Sequence, residues 1–143
     1  MPLAEAIDRE WWEHANISLY PEVLEVLRKL KENGLKVGII TNTLQADVEK
    51  VLSKLGLSDF FDLVVSVDMA GKAKPAKEIF MYAAKRLRLK PQEILFVGDD
   101  LEIDYEGAKK ACFKALIVDR ENKVNQNIEK IKNLKEILRL LSL

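Results

Sequence analysis

The chain has a single cysteine, Cys112, among 143 residues, and this excludes an intrachain disulfide and a thiolate cluster for zinc. It has no surplus of either charge: Lys+Arg and Asp+Glu are both 23. A balanced chain is not expected to bind nucleic acid, which calls for a basic excess. It lacks any apolar run near the ~20 residues that span a bilayer, so no membrane partner is expected. It lacks a basic, then apolar, leader at Met1–Glu10, and with one thiol it fits a reducing cytoplasm. No repeat or low-complexity tract stands out. What remains is 48% hydrophobic and 32% charged, the composition of a globular chain with a real core.

Apolar strands alternate with amphipathic helices along the sequence. Residues 3–15 read as a short helix holding Trp11, Trp12 and the lone His14. After Tyr20-Pro21, Val23, Val26, Leu27 and Leu30 recur at helical spacing, and Gly34 stops the run. Strands are expected at 36–40, 63–65, 94–97 and 115–118. Helices are expected after Thr43, from Pro75, across 102–112, and through Ile128, Ile131, Leu134, Leu138 and Leu141. The pattern predicts a parallel sheet covered on both faces. Functional groups in such sheets gather at the carboxyl ends of the strands. Thr41, Lys74 and Asp99, distant in sequence, are therefore expected on one edge.

Each has a chemical reading and a bland one. The hydroxyl of Thr41 suits a phosphoryl oxygen, though Thr41 or Thr43 also suits a helix cap. Lys74 stands where an ammonium opposes a helix dipole, which makes sense beside a bound anion, yet a solvated loop lysine reads as well. The run Val97-Gly98-Asp99-Asp100-Leu101-Glu102-Ile103-Asp104 delivers carboxylates directly after a buried strand. Asp99 and Asp104 suit a hard cation such as Mg²⁺, one as ligand and the other through water or neighbours. The competing role is capping by Asp99 or Asp100. Cys112, at a helix end, reads as a small buried hydrophobe.

Taken in order, Gly38-Ile39-Ile40-Thr41-Asn42, Lys74-Pro75-Ala76-Lys77-Glu78 and Val97-to-Asp104 followed by Gly107-Ala108 resemble three motifs of the haloacid dehalogenase (HAD) superfamily of phosphohydrolases. The resemblance covers roughly residues 17–120. It implies an α/β, three-layer Rossmann-like parallel sheet, with residues 1–20 a residual cap or N-terminal helix and 21–143 the core. It implies catalytic roles for Thr41 and Lys74, substrate binding by Thr41, Asn42 and Lys74, and Mg²⁺ on Asp99 and Asp104. Ala76-Lys77 and Cys112 depart modestly from the family pattern.

The large departure is the family's first motif, a strand followed by Asp-x-Asp. No Asp-x-Asp occurs in the chain. The resemblance therefore implies a truncated core that lacks its central strand, most of its cap and its nucleophile, with Mg²⁺ binding weakened. A vacant middle slot leaves unpaired backbone groups, each costing about 1–3 kcal/mol if buried. The flanking strands are expected to close up, or a strand from an N-terminal fragment or a second copy to fill the gap. Two functions follow: a phosphatase-type core, inactive alone, that takes a phosphorylated small molecule once complemented, or a non-catalytic binding or dimerising remnant. A receiver-like phosphoacceptor is set aside, because its acidic pair precedes its Thr and Lys.

Overall fold

The computed structural model describes residues 3–5, 22–124 and 128–143. Its strands are β1 (Leu3–Glu5), β2 (Val37–Ile40), β3 (Leu63–Val65), β4 (Leu95–Gly98), β5 (Lys114–Val118) and β6 (Lys130–Ile131). Its helices are α1 (Val23–Glu32), α2 (Gln45–Leu55), α3 (Val67–Ala70), α4 (Lys77–Leu87), α5 (Gly107–Lys110) and α6 (Lys135–Leu140). The strands form one parallel sheet in the order β3-β2-β1-β4-β5-β6.

Strand alternation assigns each apolar side chain to one of two layers. Val37 and Ile39 of β2 and Leu95 and Val97 of β4 join Val26, Leu27 and Leu30 of α1, Leu52 of α2 and Ile137 of α6. Ile40 and Phe96 point to the opposite face, with Ile79, Phe80 and Ala83 of α4 and Ala108 of α5. Phe80 anchors that second layer. Its ring meets Phe96 edge-on at 5.1 Å and Phe113 at 5.6 Å, contacts worth ~0.5–1.5 kcal/mol each beyond burial. The α/β, three-layer parallel arrangement is thus the one the sequence implies.

The middle of the sheet differs from expectation. The slot between β2 and β4 is filled by the chain's own Leu3–Glu5, in register with Val37–Ile39 on one side and Leu95–Val97 on the other. Residues 3–5 are therefore a strand and not the start of a helix. Two facing strand edges offer partners for every N–H and C=O of an extended segment, and that outweighs the helical preference of Leu-Ala-Glu. The rest of the expected 3–15 helix, with Asp8, Trp11, Trp12 and His14, lies outside the described residues.

Three further corrections are local. Ile131 belongs to β6, beside β5, and helix α6 begins only at Lys135; apolar spacing at 128–131 did not separate an edge strand from a helical turn. The helix expected from Pro75 begins at Lys77. Cys112 is exposed, with φ of +68°. It ends the α5 segment where the chain must turn left-handed, a position that favours glycine and points the side chain outward.

Asp62, just before β3, ties two layers together at the opposite end of the sheet from Thr41. Its carboxylate accepts from Lys31 Nζ at 2.7 Å and from Val37 N at 2.8 Å. Partial burial opposes ionisation. The hydrogen bonds from Lys31 and Val37, with the charges of Lys31 and Lys36, outweigh it and hold the carboxyl below its ordinary 3.8. A carboxyl with a lowered folded pKa contributes stability above its unfolded pKa and loses it as pH falls through the folded value. Asp62→Asn should therefore be less stable than the parent in urea unfolding at neutral pH, and the gap should close below about pH 4. An equal gap at pH 3 would show that the charge is not involved.

Candidate active site

Three strand ends build the site. Strand β2 runs out at Ile40 into Thr41, which is fully buried. Thr41 N donates to Val65 O at 2.9 Å, continuing the β2–β3 pairing one residue further. The next turn is tight: Thr43 N donates to Thr41 Oγ1 at 3.0 Å. That bond fixes the Thr41 hydroxyl oxygen and leaves its proton to donate elsewhere. Neither threonine side chain caps α2, whose cap position is Leu44. The first turn of α2 is served instead by Asp68, which accepts from Gln45 N at 3.0 Å. Sequence reasoning missed this role, because Asp68 comes from another strand's exit, 23 residues away.

Beyond β3 and α3 the chain reaches Lys74. Its side chain is 4% exposed, and Nζ lies 2.6 Å from Asp104 Oδ1, whose side chain is equally buried. Nζ also sits 5.4 Å from the centre of the Phe96 ring, a favourable place for a desolvated cation. The loop backbone is gripped by Asn42: Lys74 N donates to Asn42 Oδ1 at 2.7 Å, and Asn42 Nδ2 donates to Lys74 O at 3.1 Å.

The third strand end carries the acids. Strand β4 ends at Gly98, and the chain winds through a wide helical turn, Leu101–Glu106, into α5. Tyr105 N donates to Asp100 O, a five-residue step that marks the turn as π-type. Asp100 is its cap, accepting from Ile103 N at 2.7 Å, so the capping role belongs to Asp100. Asp104 turns inward. Its Oδ2 accepts from Asp99 N and Asp100 N, each at 3.2 Å, while Oδ1 takes the Lys74 ammonium. Asp104 thus fastens the Asp99–Asp100 turn to Lys74. Asp99 is exposed at the strand's end.

Two glycines make this approach possible. A Cβ on Gly98 would lie 2.5 Å from Asp104 Cβ and Cγ. A Cβ on Gly107 would come within 3.0 Å of Phe80 and 3.1 Å of Pro75. The first lets Asp104 fold back over its own strand. The second lets α5 lie against the Lys74–Pro75 loop.

Thr41 and Asn42, Lys74, Asp104 and Asp99 are therefore linked by an unbroken series of contacts on one sheet edge. Order in sequence and junction in space coincide with the three-motif pattern. The model of the haloacid dehalogenase-like hydrolase family matches residues 3–111. The chain belongs to this family.

Its relatives agree in type. The glyceraldehyde 3-phosphate phosphatase of Methanopyrus kandleri is 40% identical over 97 residues, which are 68% of this chain and 42% of that protein. A HAD phosphatase from Thermococcus onnurineus superposes with a TM-score of 0.83 at 32% identity, covering 87% of this chain and 58% of that one. The HAD-hydrolase YfnB from Bacillus subtilis, solved bound to magnesium, gives 0.82 at 25% identity and covers 88% and 57%. The chain thus spans less than half of the curated relative and under two thirds of these solved ones.

Among the described residues, no group of three or more His, Cys, Asp or Glu is arranged to hold a metal. A cage made of protein alone is not what Mg²⁺ requires: it is usually held by one or two carboxylates, with phosphate and water completing the shell. Asp99, a hard oxygen donor on a turn fixed by Asp104, fits that limited role. Among the described residues no helix is long and apolar enough to cross a membrane.

Proposed function

We propose that this chain is a phosphatase-type HAD core that grips a phosphoryl group and Mg²⁺ but does not turn over substrate by itself. The observation that carries the reading is the buried Lys74–Asp104 pair joined to both the Thr41–Asn42 turn and the Asp99 turn. A sheet scaffold alone has no use for a desolvated ammonium at this edge, since burying a charge is costly unless a partner is needed there. Thr41 donates its hydroxyl proton to a phosphoryl oxygen. Lys74 offsets the negative charge of the phosphoryl group. Asp104 holds Lys74 and the Asp99 turn in place, and Asp99 is the carboxylate that would hold the metal. Bound there with phosphate, Mg²⁺ supplies charge neutralisation of the phosphoryl oxygens.

Missing from this set is an attacking oxygen. The strand in the central slot is Leu3-Ala4-Glu5, and the chain has no Asp-x-Asp. Positioning and charge stabilisation lower a barrier, but they form no covalent phosphoenzyme without a nucleophile. The substrate is a phosphorylated small molecule, taken when a strand ending in Asp-x-Asp replaces β1.

The purified chain should release no p-nitrophenol from p-nitrophenyl phosphate with Mg²⁺. Adding a peptide with an apolar strand ending in Asp-x-Asp should bring Mg²⁺-dependent release. Robust turnover by the chain alone would sink the inactivity claim.

A second reading draws on β1 itself. Because the slot is already paired on both edges, the sheet has no backbone need for a donated strand. That favours a non-catalytic binding module. A stable homodimer or hetero-complex, with no activity after the peptide is added, would support this reading over the first.

A further inference from the structure

Asn42 was expected to touch substrate, yet its carboxamide is committed elsewhere. Both of its polar atoms face one peptide unit pair: Oδ1 takes Lys74 N at 2.7 Å, and Nδ2 gives to Lys74 O at 3.1 Å. The orientation is not arbitrary, since a flipped amide would set donor against donor and acceptor against acceptor. We propose that Asn42 is a positioning residue, which acts on a bound anion only through Lys74 by holding the Lys74 backbone against the Thr41 turn. The inference rests on the phosphate-binding reading above and adds a role for a residue that makes no ionic contact.

The geometry gives the reason for such a device. Lys74 is in the loop between α3 and α4, and its long side chain has several rotatable bonds. Its Nζ is fixed at one end by Asp104. That contact alone sets the ammonium's distance from the acidic turn but not from Thr41, which lies on a different strand end. Asn42 is adjacent to Thr41 in sequence. By clamping the Lys74 backbone, it ties the hydroxyl and the ammonium to a common frame. Two hydrogen bonds to one residue fix both position and rotation, which a single bond would not. Such preorganisation is what distinguishes a site from a neighbourhood of suitable side chains.

The test has two arms on the full chain. In the first, hydrogen exchange of the Lys74 amide is followed by NMR. Asn42→Ala removes the acceptor, and exchange should speed up by about tenfold or more. Asn42→Asp keeps an acceptor, and exchange at Lys74 should stay closer to the parent than to the alanine variant. Equal exchange in the parent and Asn42→Ala would overturn the clamp.

In the second arm, inorganic phosphate with Mg²⁺ is titrated calorimetrically into the parent, Asn42→Ala, Lys74→Gln and the double variant. Lys74→Gln is used because it keeps a donor for Asp104. If Asn42 works through Lys74, Asn42→Ala should weaken phosphate about fivefold in the parent and leave affinity unchanged in the Lys74→Gln background. Losses that multiply in the double variant would show that Asn42 touches the anion itself, and the positioning role would fall. If the parent binds no phosphate, the phosphatase-core reading and the role built on it fall together, while the exchange arm still reports whether the clamp exists.

Discussion

Lys74→Met should be among the most damaging single changes in this chain, costing ~3–5 kcal/mol in urea unfolding. The Lys74 and Asp104 side chains are each 4% exposed and lie 2.6 Å apart. Removing one partner strands the other charge where water cannot reach it, and that is the setting in which loss of half a pair is most destabilising. The cost belongs to the orphaned carboxylate more than to the lost attraction. A second change should therefore recover part of it. Asp104→Asn in the Lys74→Met background removes the stranded charge while keeping an oxygen for the Asp99 and Asp100 N–H groups. That double variant should regain about half of the loss. A cost below ~1 kcal/mol for Lys74→Met would mean the pair is more solvated than its burial implies.

Gly98→Ala should rival it. The added methyl would sit 2.5 Å from two carbons of Asp104, far inside any tolerable contact, and neither neighbour is a flexible tip. Gly98 is a residue of β4 paired with Ile117, and Asp104 is fixed by Lys74 and two backbone donors. Overpacking alone costs ~1–3 kcal/mol. Pushing Asp104 outward also breaks the buried pair, so a total of ~3 kcal/mol or more is expected. Gly38→Ala is a fitting control. There the nearest atom, Leu63 O, would be 3.2 Å away, so the neighbour has only a few tenths of an ångström to give. If thermal unfolding ranks the two variants equally, Asp104 is not seated over Gly98. In the Lys74→Met background Gly98→Ala should cost less, because the pair it disrupts is already gone.

Much of this architecture was legible because the apolar spacing had one solution. Val23, Val26, Leu27 and Leu30 are all buried on one face of α1, as their periodicity requires. The strand-then-acid pattern at Val97–Asp104 placed the acidic turn at the end of β4, and the three-motif order placed Thr41 and Lys74 on the same edge. Other features were out of reach for physical reasons. The described stretch of β1, Leu3–Glu5, is too short to show a periodicity; what marks it as a strand is its pairing with both neighbouring edges. The same holds for Lys130–Ile131 at the sheet's margin. Cys112 was expected inside on residue type, but its left-handed backbone decided the matter. The partnership of Asn42 with Lys74 spans 32 residues, and neither side chain carries a local sign of the other. Asp99 and Asp104 read alike as acids, whereas the fold separates them: one buried and fully engaged, the other at the surface.

Sheets of this kind are usually strongest at the middle, where strands are longest and paired on both sides. In this molecule that place is held by β1, paired with β2 on one side and β4 on the other. The layers above and below add to the lateral cohesion there. Val37 and Ile39 share one packed cluster with Leu95 and Val97, and Ile40 shares the other with Phe96. The two halves of the sheet are thus joined both across their faces and through the strand between them.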